Sequence, residues 1–291
     1  MILLKQHIVL VFFAFLLVSS IHAGENYEPD RIVVYKTGES YELRLHIFNP
    51  TQHTENDHRP AIVFFFGGGW VGGTPTQFYP YCRYLTSRGM VAVSAEYRIE
   101  NTHGTTPYEC VKDGKSAVRW LRSHAAVLGI DPDRIAAGGG SAGGHVAAAT
   151  GTVKGFEEAG EDTTVSSKPN ALVLFNPVFD NSPEGYDYDR VKKHWRDFSP
   201  MHNIDENTPP TIVFLGTKDE LIPVTTAGKY KSLMEKYGVR CDLFLYEGQP
   251  HGFFNHPFFR GTSYEYFNKT CIEMDRFLKS LGYFEGEPEL D

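Results

Sequence analysis

Cysteine is scarce in this chain, with only Cys82, Cys110, Cys241 and Cys271 among 291 residues. That is too sparse for a disulfide-built scaffold, and the spacing fits no zinc site. Buried thiols or a single disulfide are the readings left, and the sequence does not choose among the possible pairings. Basic residues are also few: 28 Lys and Arg stand against 36 Asp and Glu, a net charge of -8. No basic stripe is present, so the sequence predicts no nucleic-acid partner. Past the N-terminus no apolar run approaches the roughly 20 residues that a membrane span needs. There is no internal repeat and no low-complexity tract.

What is present describes an ordinary globular protein, 41% hydrophobic with 28 Gly and 17 Pro. A chain of this length can bury a large core without disulfide help. Lys5 and His7 precede an apolar run from Ile8 to Val18, and Ser19, Ser20 and Ala23 follow. A basic start, a short apolar stretch and a small-residue end predict a signal peptide over residues 1–23. The mature chain is then expected to begin near Gly24, to be secreted or periplasmic, and to leave the membrane once the signal is cleaved.

Short apolar runs alternate with helical patterns. Ile32 to Tyr35 and Tyr41 to Phe48 flank a Thr37-Gly38 turn and read as a hairpin. Ala61 to Phe66, Val91 to Ala95, Ile135 to Ala137, Ala171 to Phe175, Thr211 to Leu215 and Asp242 to Tyr246 read as strands buried on both faces. Apolar residues at helical spacing mark Asp113 to Leu128, Val224 to Tyr237 and Thr270 to Leu281. Such alternation predicts an α/β fold, a mostly parallel sheet covered by helices on both faces. Phe179 to Pro210 is long for a plain connection and reads as a lid-like insertion over 179–210.

Four stretches carry chemistry. Gly139-Gly140-Ser141-Ala142-Gly143 follows a strand and precedes a small-residue segment, Gly144 to Thr150, that can start a helix. A serine on such a strand-to-helix turn is pushed out with its hydroxyl exposed, and the glycines leave room for the turn. The Ala142 N–H then stands at a helix N-terminus, suited to developing negative charge. A phosphate-binding turn is the plain alternative, but no P-loop lysine follows. Phe66-Gly67-Gly68-Gly69-Trp70 ends the strongest strand and bares N–H groups at the sheet's carboxyl edge. Asp219 follows the strand Thr211 to Leu215, and His251 follows Asp242 to Tyr246. Ser141, Asp219 and His251 thus occur in the order nucleophile, acid, base. His256, His202 and His194 are alternative bases, and Glu247 and Asp180 alternative acids.

The motifs GGGW, GGSAGG, GTKDELIPV and PHGF, in this order between about Arg59 and Leu281, resemble the α/β-hydrolase carboxylesterases. The resemblance is to the branch holding the hormone-sensitive-lipase group and the bacterial acetyl and feruloyl esterases. It implies one α/β-hydrolase domain over 24–291 without a large cap, and a Ser141–His251–Asp219 triad. It also implies an oxyanion hole made by Gly68, Gly69 and Ala142. Glu96-Tyr97-Arg98 resembles the family's Asp-Tyr-Arg and is read as structural. Phe66 stands where the family usually has His, which puts the rigidity of the glycine loop in question.

Aromatics near these motifs, chiefly Trp70, Phe253 and Phe254, are the candidate substrate contacts, with hydrophobic packing as the plain alternative. The expected function is a secreted serine esterase acting on short-chain esters, acetyl groups on a carbohydrate such as xylan first. A general short-chain carboxylesterase shares every motif, and a non-catalytic binding protein on this fold would be expected to lose a triad member. A serine peptidase would bring a large extra domain that these residues do not contain. No metal or nucleotide cofactor is called for; His53, Asp57 and His58 read as a solvated loop. Asn268-Lys269-Thr270 matches a glycosylation sequon.

Overall fold

The computed structural model describes residues 27–261, 263–288 and 290, so the expected signal peptide lies outside the described residues. Eight strands form one sheet: β1 (Arg31–Thr37), β2 (Glu42–Phe48), β3 (Arg59–Phe65), β4 (Val91–Ala95), β5 (Ile130–Gly140), β6 (Ala171–Phe175), β7 (Thr211–Gly216) and β8 (Cys241–Tyr246). Their spatial order is β1-β2-β4-β3-β5-β6-β7-β8. The opening hairpin pairs antiparallel, and β2 pairs antiparallel with β4. From β4 onward every pairing is parallel. Solidly apolar β3, β4, β6 and β7 are buried along almost their whole lengths, as a sheet covered on both faces requires.

Five helices do the covering: α1 (Tyr79–Ser87), α2 (Pro107–Ser123), α3 (Ala142–Thr152), α4 (Val224–Lys236) and α5 (Tyr264–Ser280). On one face Val118 and Leu121 of α2, Val146 of α3 and Met234 of α4 join one core. On the other, Cys82 and Leu85 of α1 meet Cys271, Met274 and Phe277 of α5. Helix α1 was not expected; its Tyr79 and Tyr81, with Phe78 just before it, are core residues. Helix α2 begins six residues before the expected start. Thr106 and Glu109 form a capping box around Pro107, which fixes the first turn ahead of the apolar stripe.

The chain runs from β3 to β4 on one side and then crosses to place β5 on the other. The order therefore reverses between β3 and β5, where open α/β sheets leave a crevice at the strands' carboxyl ends. Register brings the two ends level, with Phe65 beside Gly139, and Phe175 of β6 beside Gly140.

Two buried features pin this edge from outside. Asp113 on α2 is fully buried and takes a bidentate contact from Arg98 and another from Lys36 at 2.7 Å. Glu158 closes the group onto both cations. The segment 179–210 lies packed down through Phe179, Val191, Phe198 and Met201, with short helical turns at Tyr188–Val191, Trp195–Phe198 and Pro200–Asn203. Phe198 rests on the ring of His145 at 4.2 Å, and Trp70 meets the same ring edge-on.

All four cysteines are buried free thiols, which leaves the single-disulfide reading aside. The sequon lies within α5, where Thr270 is fully buried and its hydroxyl is engaged with Tyr81 and with α5 carbonyls. His53 is no free ligand either, since its ring bonds the Leu128 carbonyl at 2.8 Å.

Two outcomes are expected. Asp113→Ala leaves Lys36 and Arg98 buried beside an empty position and lowers the unfolding free energy by about 3–5 kcal/mol in urea titrations. His145 is the second case. Burial drives its pKa from 6.5 down to about 3, against weaker support from the Phe198 backbone and the Asn181 side chain. The unfolded chain therefore binds a proton that the folded one refuses, and stability is lost as pH falls from about 6.5 toward 3. In thermal melts at pH 7 and pH 4.5, His145→Phe should lose less Tm than the wild type; parallel losses would refute the assignment.

Candidate active site

Ser141 stands between β5 and α3 with φ 55 and ψ -120. Non-glycine residues rarely adopt a positive φ, and holding one there costs about 1–3 kcal/mol, a cost met only where the surroundings leave no alternative. The surroundings here are backbone. A Cβ on Gly143 would collide with the carbonyl oxygens of Phe65 and Phe66, so only glycine lets α3 start against the end of β3. Gly67 packs less tightly from the other side: a Cβ there would lie 3.0 Å from the Gly140 carbonyl and 3.3 Å from the Ser141 Cβ.

The three residues expected to act together are brought together. Ser141 Oγ lies 2.9 Å from His251 Nε2, and His251 Nδ1 lies 2.7 Å from Asp219 Oδ2. The Asp219 carboxylate is fully buried, while the imidazole is about a quarter exposed. Its other oxygen, Oδ1, accepts the backbone N–H groups of Leu221 and Ile222, both at 2.9 Å. Asp219 is thereby held with one oxygen free to accept from Nδ1–H, which leaves Nε2 unprotonated toward the serine. The alternative bases are elsewhere: His256 meets Tyr27 and the Phe258 N–H, and His202 meets Ser199.

The glycine loop is rigid despite Phe66. The Phe66 ring stacks on Tyr97 at 4.2 Å, and the Tyr97 hydroxyl donates to the Phe66 carbonyl at 2.5 Å. Gly67 N–H donates to Gln77 Oε1 at 2.7 Å. The Gly68 carbonyl accepts from Val71 and Gly72. The N–H groups of Gly68 and Gly69 have no acceptor among the described residues, and both glycines have positive φ. Ala142 is the first residue of α3, so its N–H has no partner within the helix.

These groups open onto a cavity of about 630 Å³ whose walls include Gly68, Gly69, Ser141, His251 and Phe254. Arg260 is its one Lys, Arg, Asp or Glu side chain among the described residues; its other polar lining includes the amides of Gln77, Asn101, Asn176 and Asn255. Two expected substrate contacts are corrected. Trp70 is fully buried and packs on His145, Tyr186 and Phe198, because its own positive φ of 60 turns the ring back into the core. Phe253 packs on Tyr246 and Tyr266 and does not line the cavity. Tyr186, from the 179–210 segment, does line it.

Three residues at the site went unread. Asn176 follows β6, is fully buried, and places Nδ2 3.3 Å from His251 Nε2. A polar residue at the carboxyl end of a buried strand was a usable signal. Gln77 and Asn255 carried none, since each gains its meaning from a contact 178 positions away.

The BD-FAE family profile matches residues 45–183, and that of the dienelactone hydrolase family matches 197–266. An arylesterase of Saccharolobus solfataricus is 31% identical over 239 residues, 75% of each chain. An acetylxylan esterase of Xylanibacter ruminicola is 28% identical over 247 residues, covering 78% of this chain and 47% of its own. A probable isoprenylcysteine alpha-carbonyl methylesterase of Arabidopsis thaliana is 28% identical over 76% of this chain and 50% of its own. The chain thus spans about half the length of these last two relatives. Among solved structures, the apo form of Thermogutta terrifontis esterase 2 superimposes with a TM-score of 0.84 at 44% identity, covering 88% of this chain and 96% of that one. With likeness of this extent in sequence, fold and order of elements, the chain belongs to the carboxylesterases of the α/β-hydrolase class.

Proposed function

We propose that this protein is a serine esterase that hydrolyses short-chain carboxylic esters through an acyl-enzyme, with acetyl groups on a carbohydrate such as xylan as the substrate and with export as its destination. The observation that carries the reaction is the Oγ–Nε2 and Nδ1–Oδ2 chain beside unclaimed N–H groups. Nε2 removes the Ser141 proton as Oγ attacks the ester carbonyl. The oxygen gains negative charge and settles against the N–H groups of Gly68, Gly69 and Ala142. Asp219 stabilises the imidazolium, which then gives its proton to the departing alcohol. Water attacks the acyl-enzyme with the same base, releasing the carboxylic acid and restoring Ser141.

The carbohydrate part rests on the Asn101 amide and the Tyr186 hydroxyl of the cavity wall, which suit a hydroxyl-bearing alcohol, and on the acetylxylan esterase among the relatives. Export rests on the leader-like sequence before Gly24. A general short-chain carboxylesterase is the second reading, favoured by the propionate- and butyrate-bound structures of the Thermogutta esterase.

Wild type should cleave p-nitrophenyl acetate and butyrate faster than the octanoate and release acetate from acetylated xylan. Ser141→Ala should lower kcat by about 10³-fold or more, and Asp219→Asn by about 10³- to 10⁴-fold. Short-ester cleavage without acetate release from xylan would keep the esterase and remove the carbohydrate. An inactive wild type would remove both. The Thermogutta esterase is phosphorylated by paraoxon. The same reagent should inactivate this chain and leave a diethylphosphoryl group on the Ser141 peptide in mass spectra; modification of any other residue counts against Ser141 as nucleophile.

A further inference from the structure

Gly67 and His251 lie on separate loops, and among the described residues no backbone hydrogen bond joins those loops. They are joined instead by side-chain amides. Gly67 N–H donates to Gln77 Oε1 at 2.7 Å, and Gln77 Nε2 donates to Asn255 Oδ1 at 2.8 Å. Asn255 Nδ2 donates to the Gly252 carbonyl at 2.9 Å, and Gly252 N–H donates to Asn176 Oδ1 at 3.0 Å. Asn176 Nδ2 ends the chain at His251 Nε2.

The direction of this chain is fixed at every link. A backbone N–H at Gly67 can only donate, so Gln77 must offer it oxygen and turn nitrogen toward Asn255. Asn255 must then answer with oxygen and turn nitrogen to a carbonyl, which can only accept. Gln77 and Asn255 are 7% and 8% exposed, and Asn176 is fully buried. A well-packed apolar pair would fill the same space without desolvating two amides. What an apolar pair cannot do is hold two loops at one separation and one register.

We propose that Gln77 and Asn255 are positioning residues of ester hydrolysis. They lock the glycine loop that presents the oxyanion donors to the loop that presents the base. The proposal rests on the esterase reading above. In the tetrahedral intermediate the carbonyl oxygen must meet Gly68 and Gly69 while Oγ and the leaving oxygen meet Nε2. These demands fall on the two loops at once, and a displacement of about 1 Å can cost a hundred-fold in rate. Because the pair acts on the intermediate's geometry and not on the resting substrate, its loss should appear in kcat and not in KM.

The experiment is a double-mutant cycle with Gln77→Ala, Asn255→Ala and the double variant on p-nitrophenyl acetate. Competent sites are counted by the p-nitrophenol released stoichiometrically from paraoxon, so unfolded protein does not enter the rate. Each single variant should lower kcat per competent site about 10- to 100-fold with KM within about 2-fold. The double variant should be no slower than the slower single, since both remove one tether. Gln77→Glu keeps an acceptor for Gly67 N–H but, when ionised, cannot donate to Asn255; it should fold and match Asn255→Ala in kcat. The proposal is overturned if kcat per site stays within about 2-fold of wild type while only Tm falls, if the two losses multiply, or if Gln77→Glu is as fast as wild type. An inactive wild type would bring down the esterase reading and this proposal with it, whereas active variants of an active wild type bring down this proposal alone.

Discussion

The site depends on two stretches of backbone touching. Gly143, in the first turn of α3, lies against the carbonyls of Phe65 and Phe66, and Gly67 lies against the turn that carries Ser141. Nothing larger than hydrogen fits at Gly143, and Gly67 leaves little room, so main chain sets the approach of β3's end to β5's end. The strained φ of Ser141, the exposure of its hydroxyl and the aim of the following N–H groups are consequences of that approach. A side chain at Gly143 would open the crevice at the point where the strand order reverses.

Charge and neutrality are divided in space. The buried ionic group of Asp113, Lys36, Arg98 and Glu158 fixes the chain just beyond β4. Tyr97, beside Arg98, then reaches back to hold the Phe66 carbonyl. Rigidity is thus imported to the glycine loop from an ion-pair cluster, while its far side is fastened by amides. The cavity itself has little fixed charge, so in the proposed ester hydrolysis the developing charge would meet oriented dipoles and few competing ions.

Much of this was legible in the sequence. Strands β4 and β6 were read at their observed limits, because a run buried on both faces has no alternative periodicity to confuse it. The order of Ser141, Asp219 and His251 was read from their places after strands, and the structure brings them into one hydrogen-bonded chain. The start of α2 was misplaced because the apolar stripe begins later than the cap. Trp70 was misassigned for a geometric reason: a residue after three glycines looks exposed, yet a left-handed backbone turns it inward. Phe66 looked like a weakness because its compensation, Tyr97 and Gln77, comes 31 and eleven residues away. Contacts made by folding alone, such as Gln77 to Asn255, leave no local trace.

The four cysteines have one more consequence. Each is buried, and burial pushes each thiol's pKa above its usual value. Native protein therefore offers thiol reagents almost no thiolate, and reductants have no disulfide to break. Cys82 and Cys271 lie on one side of the sheet, Cys110 and Cys241 on the other. The order in which they become alkylated as the protein is destabilised reads out which face of the sheet opens first, so the molecule carries its own clock for each half of its core.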